Sequence, residues 1–347
     1  MKHHFYFIVA LSLLFGCKES SNKDLVAGEK KEEKAKPLFT DTTACIFSQI
    51  AYCSNPQQQL DQYMPGWKIA WNPSPIGGNH VFVATDSNIY VIAMRGSLMS
   101  FTEDAFNNWI NNDLNVTTQD PWPYSKKENA VIAHGSYIGW QNIERMRDRT
   151  SGKSLWAFLS EKVGEHPLVL TGHSLGGNLA MIYASYLSSK FEKSGHPKNN
   201  INVISFAAPA PGNEIFANDF NEKFPMSERI ENTNDIVPKF PCSNKITQLG
   251  ELYLPGPSAS SVSVGYQSMT TNLNNVFTLM SSGLAVLELR SGFSGYMQTN
   301  GNGKLITVSV SGKDTLNTAV SWFAEAGYQH AMAQYAAYFN APIIKTE

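Results

Sequence analysis

The chain has 347 residues, of which 42% are apolar and 12% aromatic, enough to build a substantial core in one large domain or two ordinary ones. Its 27 basic and 29 acidic side chains leave a net charge of -2. That balance gives no basis for electrostatic capture of nucleic acid or another polyanion, so no nucleic-acid partner is expected.

The first 17 residues, MKHHFYFIVALSLLFGC, place one lysine before an uncharged apolar run of about 12 residues and a small residue before Cys17, as export signals do. The run is too short to span a bilayer. Leu14-Phe15-Gly16-Cys17 resembles the bacterial lipobox, in which the signal is cut before a cysteine that receives a lipid, with Phe15 bulkier than usual. Residues 18–37 are dense in Lys and Glu, poor in apolar side chains, and read as a disordered charged tether reaching roughly 60 Å when extended. The expectation is an exported protein held to a membrane through Cys17, periplasmic or at the cell surface. An ordinary cleaved signal gives the alternative, a secreted protein.

Residues 38–347 are expected to form a single domain. Helical spacing predicts helices over 41–53, 136–148, 153–163, 175–190 and 213–223. Apolar, β-branched runs predict strands at 80–85, 88–94, 130–135, 167–172 and 202–208. Their alternation implies an α/β fold with a central, mostly parallel sheet covered by helices on both faces. The Ser-, Gly-, Asn- and Thr-rich stretch at about 243–325 reads as an insertion, with an apolar helix at 275–289 packed on the core and a strand at 304–310. An acyl-binding or membrane-dipping role for that helix is the competing reading. Cys45 and Cys53 are expected about 12 Å apart along one helix, too far for a bridge unless the helix breaks; Cys242 paired with one of them and three free thiols are the two readings. No metal-ligand spacing occurs, and no metal or organic cofactor is expected.

The chemistry concentrates at Gly172-His173-Ser174-Leu175-Gly176. A G-x-S-x-G string is weak alone, but here a buried-strand pattern precedes it and a helical one follows, as a nucleophile elbow requires. The serine takes a strained backbone there, and Gly172 and Gly176 remove the Cβ atoms that would crowd the turn. A serine hydroxyl needs a histidine to take its proton and a carboxylate to orient that histidine, which in α/β-hydrolases follow it in the order acid, then histidine. Of eight histidines only His330 satisfies that order at a useful distance, at the expected start of a C-terminal helix. His173 is expected to point away across the turn. Asp235 follows a strand in RIENTNDIVPKFP and is preferred as the acid to Asp219, in a helix, and Asp314, in a polar loop.

These strings, together with VIAMRGS (91–97), NNWINNDLN (107–115), AHGSYIGW (133–140) and FAAPAPGN (206–213), resemble in order and spacing the class 3 lipase family, the α/β-hydrolase branch of the filamentous-fungal triacylglycerol lipases. The likeness covers most of residues 40–340. It implies Ser174, Asp235 and His330 as the triad and backbone N–H groups of Ser97 and Leu175 as the oxyanion hole. It also implies an interfacial lid directly after Ser97, carrying Leu98, Met99, Phe101, Phe106 and Trp109. A fixed helix would use the same apolar stripe. The usual Gly-Ala-Pro-x-Val-Gly run is replaced by Ala207-Ala208-Pro209-Ala210-Pro211-Gly212, and the span from Asp235 to His330 is longer than in compact fungal members. The resemblance implies hydrolysis of acylglycerols or related lipid esters. Small or feruloyl-type esters, phospholipids, thioesters or peptides are the alternative substrates, and a catalytically silent binding lipoprotein is the non-enzymatic one.

Overall fold

The computed structural model describes residues 39–98, 101–102, 115–195, 200–266, 269–290, 292–299 and 303–345. The expected signal, Cys17 and the tether lie outside the described residues, as do Met99, Phe106 and Trp109.

In chain order the elements are α1 (Asp41–Ile50), α2 (Pro56–Tyr63), β1 (Lys68–Trp71), β2 (Val81–Thr85), β3 (Tyr90–Met94), β4 (Gln119–Pro121), β5 (Val131–Ala133), α3 (His134–Arg145) and α4 (Leu155–Lys162). Then follow β6 (Leu168–His173), α5 (Leu175–Lys193), β7 (Ile201–Phe206), β8 (Gly212–Asn213), α6 (Glu214–Lys223), β9 (Glu228–Asn232) and α7 (Ser243–Ile246). The last are β10 (Ser263–Tyr266), β11 (Met269–Asn272), α8 (Leu273–Glu288), β12 (Tyr296–Met297), β13 (Lys304–Ile306), α9 (Ala319–His330) and α10 (Met332–Tyr338).

Seven strands form the central sheet in the order β1-β2-β3-β6-β7-β9-β13. The three junctions from β3 to β9 and the last, β9 with β13, are parallel; β1 and β2 add antiparallel strands at the other edge. Alternate side chains feed two apolar layers. Val81, Val83, Ile92, Leu168 and Leu170 face the layer of α5, and Phe82, Ala84, Val91, Val169 and Ile204 face that of α1 and α10. The period-two rule thus explains why the β6 run needs apolar residues at nearly every position: both of its faces are covered.

Several expectations are corrected. The first helix stops at Ile50, because Tyr52 N–H and Cys53 N–H bond three residues back, to Gln49 O and Ile50 O, and tighten the chain out of the helix. The run 130–135 contributes only three strand residues, and these belong to a separate antiparallel sheet, β12-β8-β5-β4. The 243–325 stretch is not wholly an insertion: β13 completes the central sheet beside β9, and β12 pairs with β8. Its apolar helix, α8, buries Leu273, Val276, Phe277 and Leu284, with Phe277 against Trp322 at 5.4 Å between ring centroids. Among the described residues no helix is long and apolar enough to cross a membrane. Cys45, Cys53 and Cys242 are all buried, and burial pushes the Cys45 and Cys242 thiols up to about 12 and about 11.

Candidate active site

Ser174 sits between β6 and α5 with φ 59° and ψ -131°, a left-handed conformation that costs on the order of 1–3 kcal/mol. The turn is held by Ser174 N–H donating to Phe206 O at 2.9 Å and by Gly177 and Asn178 N–H donating to Ser174 O. Its tightness depends on missing side chains. A Cβ on Gly172 would lie 2.6 Å from Gly176 backbone atoms, and one on Gly96 would lie 2.6 Å from His173 O and 3.1 Å from Ser174 Cβ.

Asp235 lies just past β9 and is fully buried. Its Oδ1 accepts Val237 N–H at 2.9 Å, while Oδ2 accepts His330 Nδ1 at 2.8 Å and the Tyr335 hydroxyl at 3.0 Å. Tyr335 in turn accepts Asn232 N–H at 3.0 Å, so one hydroxyl ties the strand end to the carboxylate. Asp219 and Asp314 are occupied elsewhere, by Lys223 Nζ and Lys126 N–H and by Ser321 and Leu316 respectively.

His330 is the last residue of α9, not the first of a following helix, and the break at Ala331 before α10 turns its ring toward the elbow. Asn232 Nδ2 donates to the backbone oxygen of Gln329, next door. Phe101 and His173 pack against the ring in tilted arrangements, at 5.2 Å and 4.5 Å between centroids. Ser174 and His330 line one cavity of about 420 Å³, whose remaining wall includes Tyr52, Ser97, Leu98, Phe101 and Met332. Of the expected lid residues, Leu98 is 68% exposed and Phe101 half-buried over the histidine.

The expectation for His173 is overturned: its ring does not point away but packs beside His330. Tyr52 OH accepts Gly96 N–H at 3.2 Å and stands 3.1 Å from His173 Nδ1. Burial raises the Tyr52 pKa, so the phenol keeps its proton and donates it to Nδ1. Nε2–H then donates to His330 O at 2.8 Å, a neutral tautomer that anchors the backbone of the second histidine. Tyr52 and Tyr335 are thus neighbours of the site to which sequence reasoning assigned no role.

Burial first, and then the charge of His330, hold His173 well below the usual imidazole range; burial, then Arg95, take His80 down to about 4. In the unfolded chain both would titrate near 6.5. The unfolded state therefore binds more protons below that value, and stability is expected to fall as pH drops from about 6.5 toward about 4. Urea denaturation across that range should show the loss, and His80→Asn should flatten it.

Residues 91–245 match the family model of lipase (class 3). The match supports a place for this chain among the class 3 lipases and, with it, a lipase-type carboxylic ester hydrolase. Among solved structures, M37 lipase is similar at 21% identity, covering 87% of this chain and 93% of that one with a TM-score of 0.69, which shows a shared fold. Lip2 lipase from Yarrowia lipolytica matches at 18% identity over 58% of this chain and 73% of that one (TM-score 0.46), and lipase II from Rhizopus niveus at 19% over 59% and 75% (TM-score 0.47). The matched class 3 lipase region contains β3, the elbow, Asp235 and the residues after Ser97; His330 lies beyond it, delivered by α9.

Proposed function

We propose that the chain hydrolyses lipid esters, acylglycerols foremost, by a Ser-Asp-His mechanism. The observation that carries this reading is the buried Asp235–His330 pair at 2.8 Å, whose imidazole opens into the cavity that Ser174 lines. His330 Nε2 takes the proton of Ser174 as Oγ attacks the ester carbonyl. Asp235 fixes the tautomer and stabilises the imidazolium that results. The backbone N–H of Leu175, at the first position of α5 where no intrahelical acceptor exists, and that of Ser97 receive the developing oxyanion. Each such donor contributes about 3 kcal/mol of barrier lowering. Collapse expels the alcohol, which takes the proton from His330. Water, deprotonated by the same imidazole, then releases the acid from the acyl-serine.

Lipid esters lead because Leu98, Phe101 and Met332 give the cavity an apolar side, with Leu98 exposed at its edge. The test is turnover on esters of graded acyl length, with and without an emulsion surface. Rates that rise with acyl length and jump at the interface support a lipase with a moving lid. Flat behaviour on short soluble esters would replace it with a small-ester esterase. We also propose export and membrane attachment through Cys17, on the signal-like segment and tether of the sequence. Cys17→Ala should shift the protein from the membrane to the soluble fraction.

A further inference from the structure

A second cavity, of about 490 Å³, lies on the other side of Ser97 and Leu98, which line both. It starts at the reacting centre: Gly96 and Leu175 are in its wall, and Gly96 approaches Ser174 so closely that a Cβ on it would fall 3.1 Å from Ser174 Cβ. It is more polar than the first, although Leu98, Ile138 and Leu175 are also in its wall. His134, Asn79 and Asn142 face it together with the backbone of Gly77 and Gly78.

The hydrogen bonds already made there determine what remains to be offered. Asp120 Oδ2 lies 2.7 Å from His134 Nδ1, so the imidazole gives its Nδ1–H to the carboxylate, and in the neutral ring Nε2 carries the lone pair that serves as an acceptor. Asn142 Nδ2 donates to Asn79 Oδ1 at 2.7 Å, which leaves the amide N–H2 of Asn79 as its remaining group, a donor. The remaining Asn142 oxygen is taken by Arg145. An acceptor and a donor in one cavity wall complement a hydroxyl, which is both. An anion would want donors alone and would meet the charge of Asp120, and an alkyl chain would leave both groups unpaired.

We propose that this cavity is a subsite for a hydroxyl-bearing part of the ester, with His134, oriented by Asp120, and Asn79 as its hydrogen-bonding partners. The inference rests on the ester-hydrolase reading above and adds a preference to it. The hydroxyl can belong to the alcohol, as in a partial glyceride, or to the acyl chain, and matched ester pairs separate the two.

The experiment compares kcat/KM for glycerol monobutyrate against propyl butyrate, and for ethyl β-hydroxybutyrate against ethyl butyrate. The wild type should prefer the hydroxylated member of one pair by about tenfold, equivalent to about 1.4 kcal/mol. The pair that shows it identifies the source. His134→Phe should bring that ratio toward one, and Asp120→Asn, which keeps the imidazole but releases its orientation, should lower it as well. A wild-type ratio near one in both pairs, or a preference that survives both substitutions, would overturn the proposal. Absence of turnover on all four esters would instead overturn the hydrolase reading, and the inference with it.

Discussion

Asp235→Asn is expected to lower kcat by about 10⁴-fold while leaving the fold in place. The carboxylate accepts three hydrogen bonds, from His330, Tyr335 and Val237 N–H, with no exposure to solvent. An amide of the same shape retains an oxygen for Val237 N–H or Tyr335, but its N–H2 group facing Nδ1 forces the proton onto Nε2. That nitrogen then has no lone pair with which to take the proton of Ser174. Circular dichroism should show native secondary structure and the kinetics a loss in kcat larger than any change in KM. A merely structural role for Asp235 would show the reverse, an unstable protein whose folded fraction remains active.

Gly176→Ala is expected to be the most destructive single-methyl change at the elbow. Helix propensity favours alanine over glycine by about 1 kcal/mol at an internal helical position. Sterics point the other way and dominate. The new Cβ would sit 2.2 Å from Met94 O and 2.8 Å from Arg95 C and Gly96 N, all backbone atoms of the neighbouring β3 and the turn after it. No rotamer relieves such a contact, so β3 and α5 must separate, and about 3 kcal/mol or more of stability should be lost, with the Ser97 N–H displaced from the oxyanion position. Thermal or urea unfolding measures the first effect. Gly177→Ala is the graded comparison: its Cβ would meet Gly172 O at 3.0 Å and the Ala208 side chain at 3.1 Å, so a smaller loss is expected.

The fold was legible wherever a strand is buried on both faces. The runs at 80–85, 88–94, 167–172 and 202–208 lie within one or two residues of β2, β3, β6 and β7, because only there does composition have a single explanation. The run at 130–135 looked the same but supplies a short strand of another sheet, since pairing partners are a tertiary property that local pattern does not encode. Likewise Lys304-Leu305-Ile306 read as part of an insertion, although it pairs in parallel with β9, a contact some 70 positions away in sequence.

At the site, chain order and residue type were enough to select Ser174, Asp235 and His330 as neighbours, because acyl transfer limits which side chains can serve. The direction of His173 was not legible. It depends on Tyr52, brought over by the early end of α1, and on the backbone oxygen of His330, neither of which leaves a trace in GHSLG. The His134–Asp120 pair was equally hidden: the two residues are 14 positions apart and meet only because β4 and β5 pair with Asp120 opposite Ile132.

The central claim is that a hydroxyl at the β6–α5 turn is made nucleophilic by an imidazole arriving from the end of α9. Treatment of the intact protein with a fluorophosphonate, followed by mass-spectrometric mapping of the adduct, tests it most directly. A single phosphonyl adduct on Ser174, formed in the wild type and much reduced in His330→Ala, is the predicted result. An adduct on another residue, or labelling of Ser174 that is indifferent to the loss of His330, would contradict it.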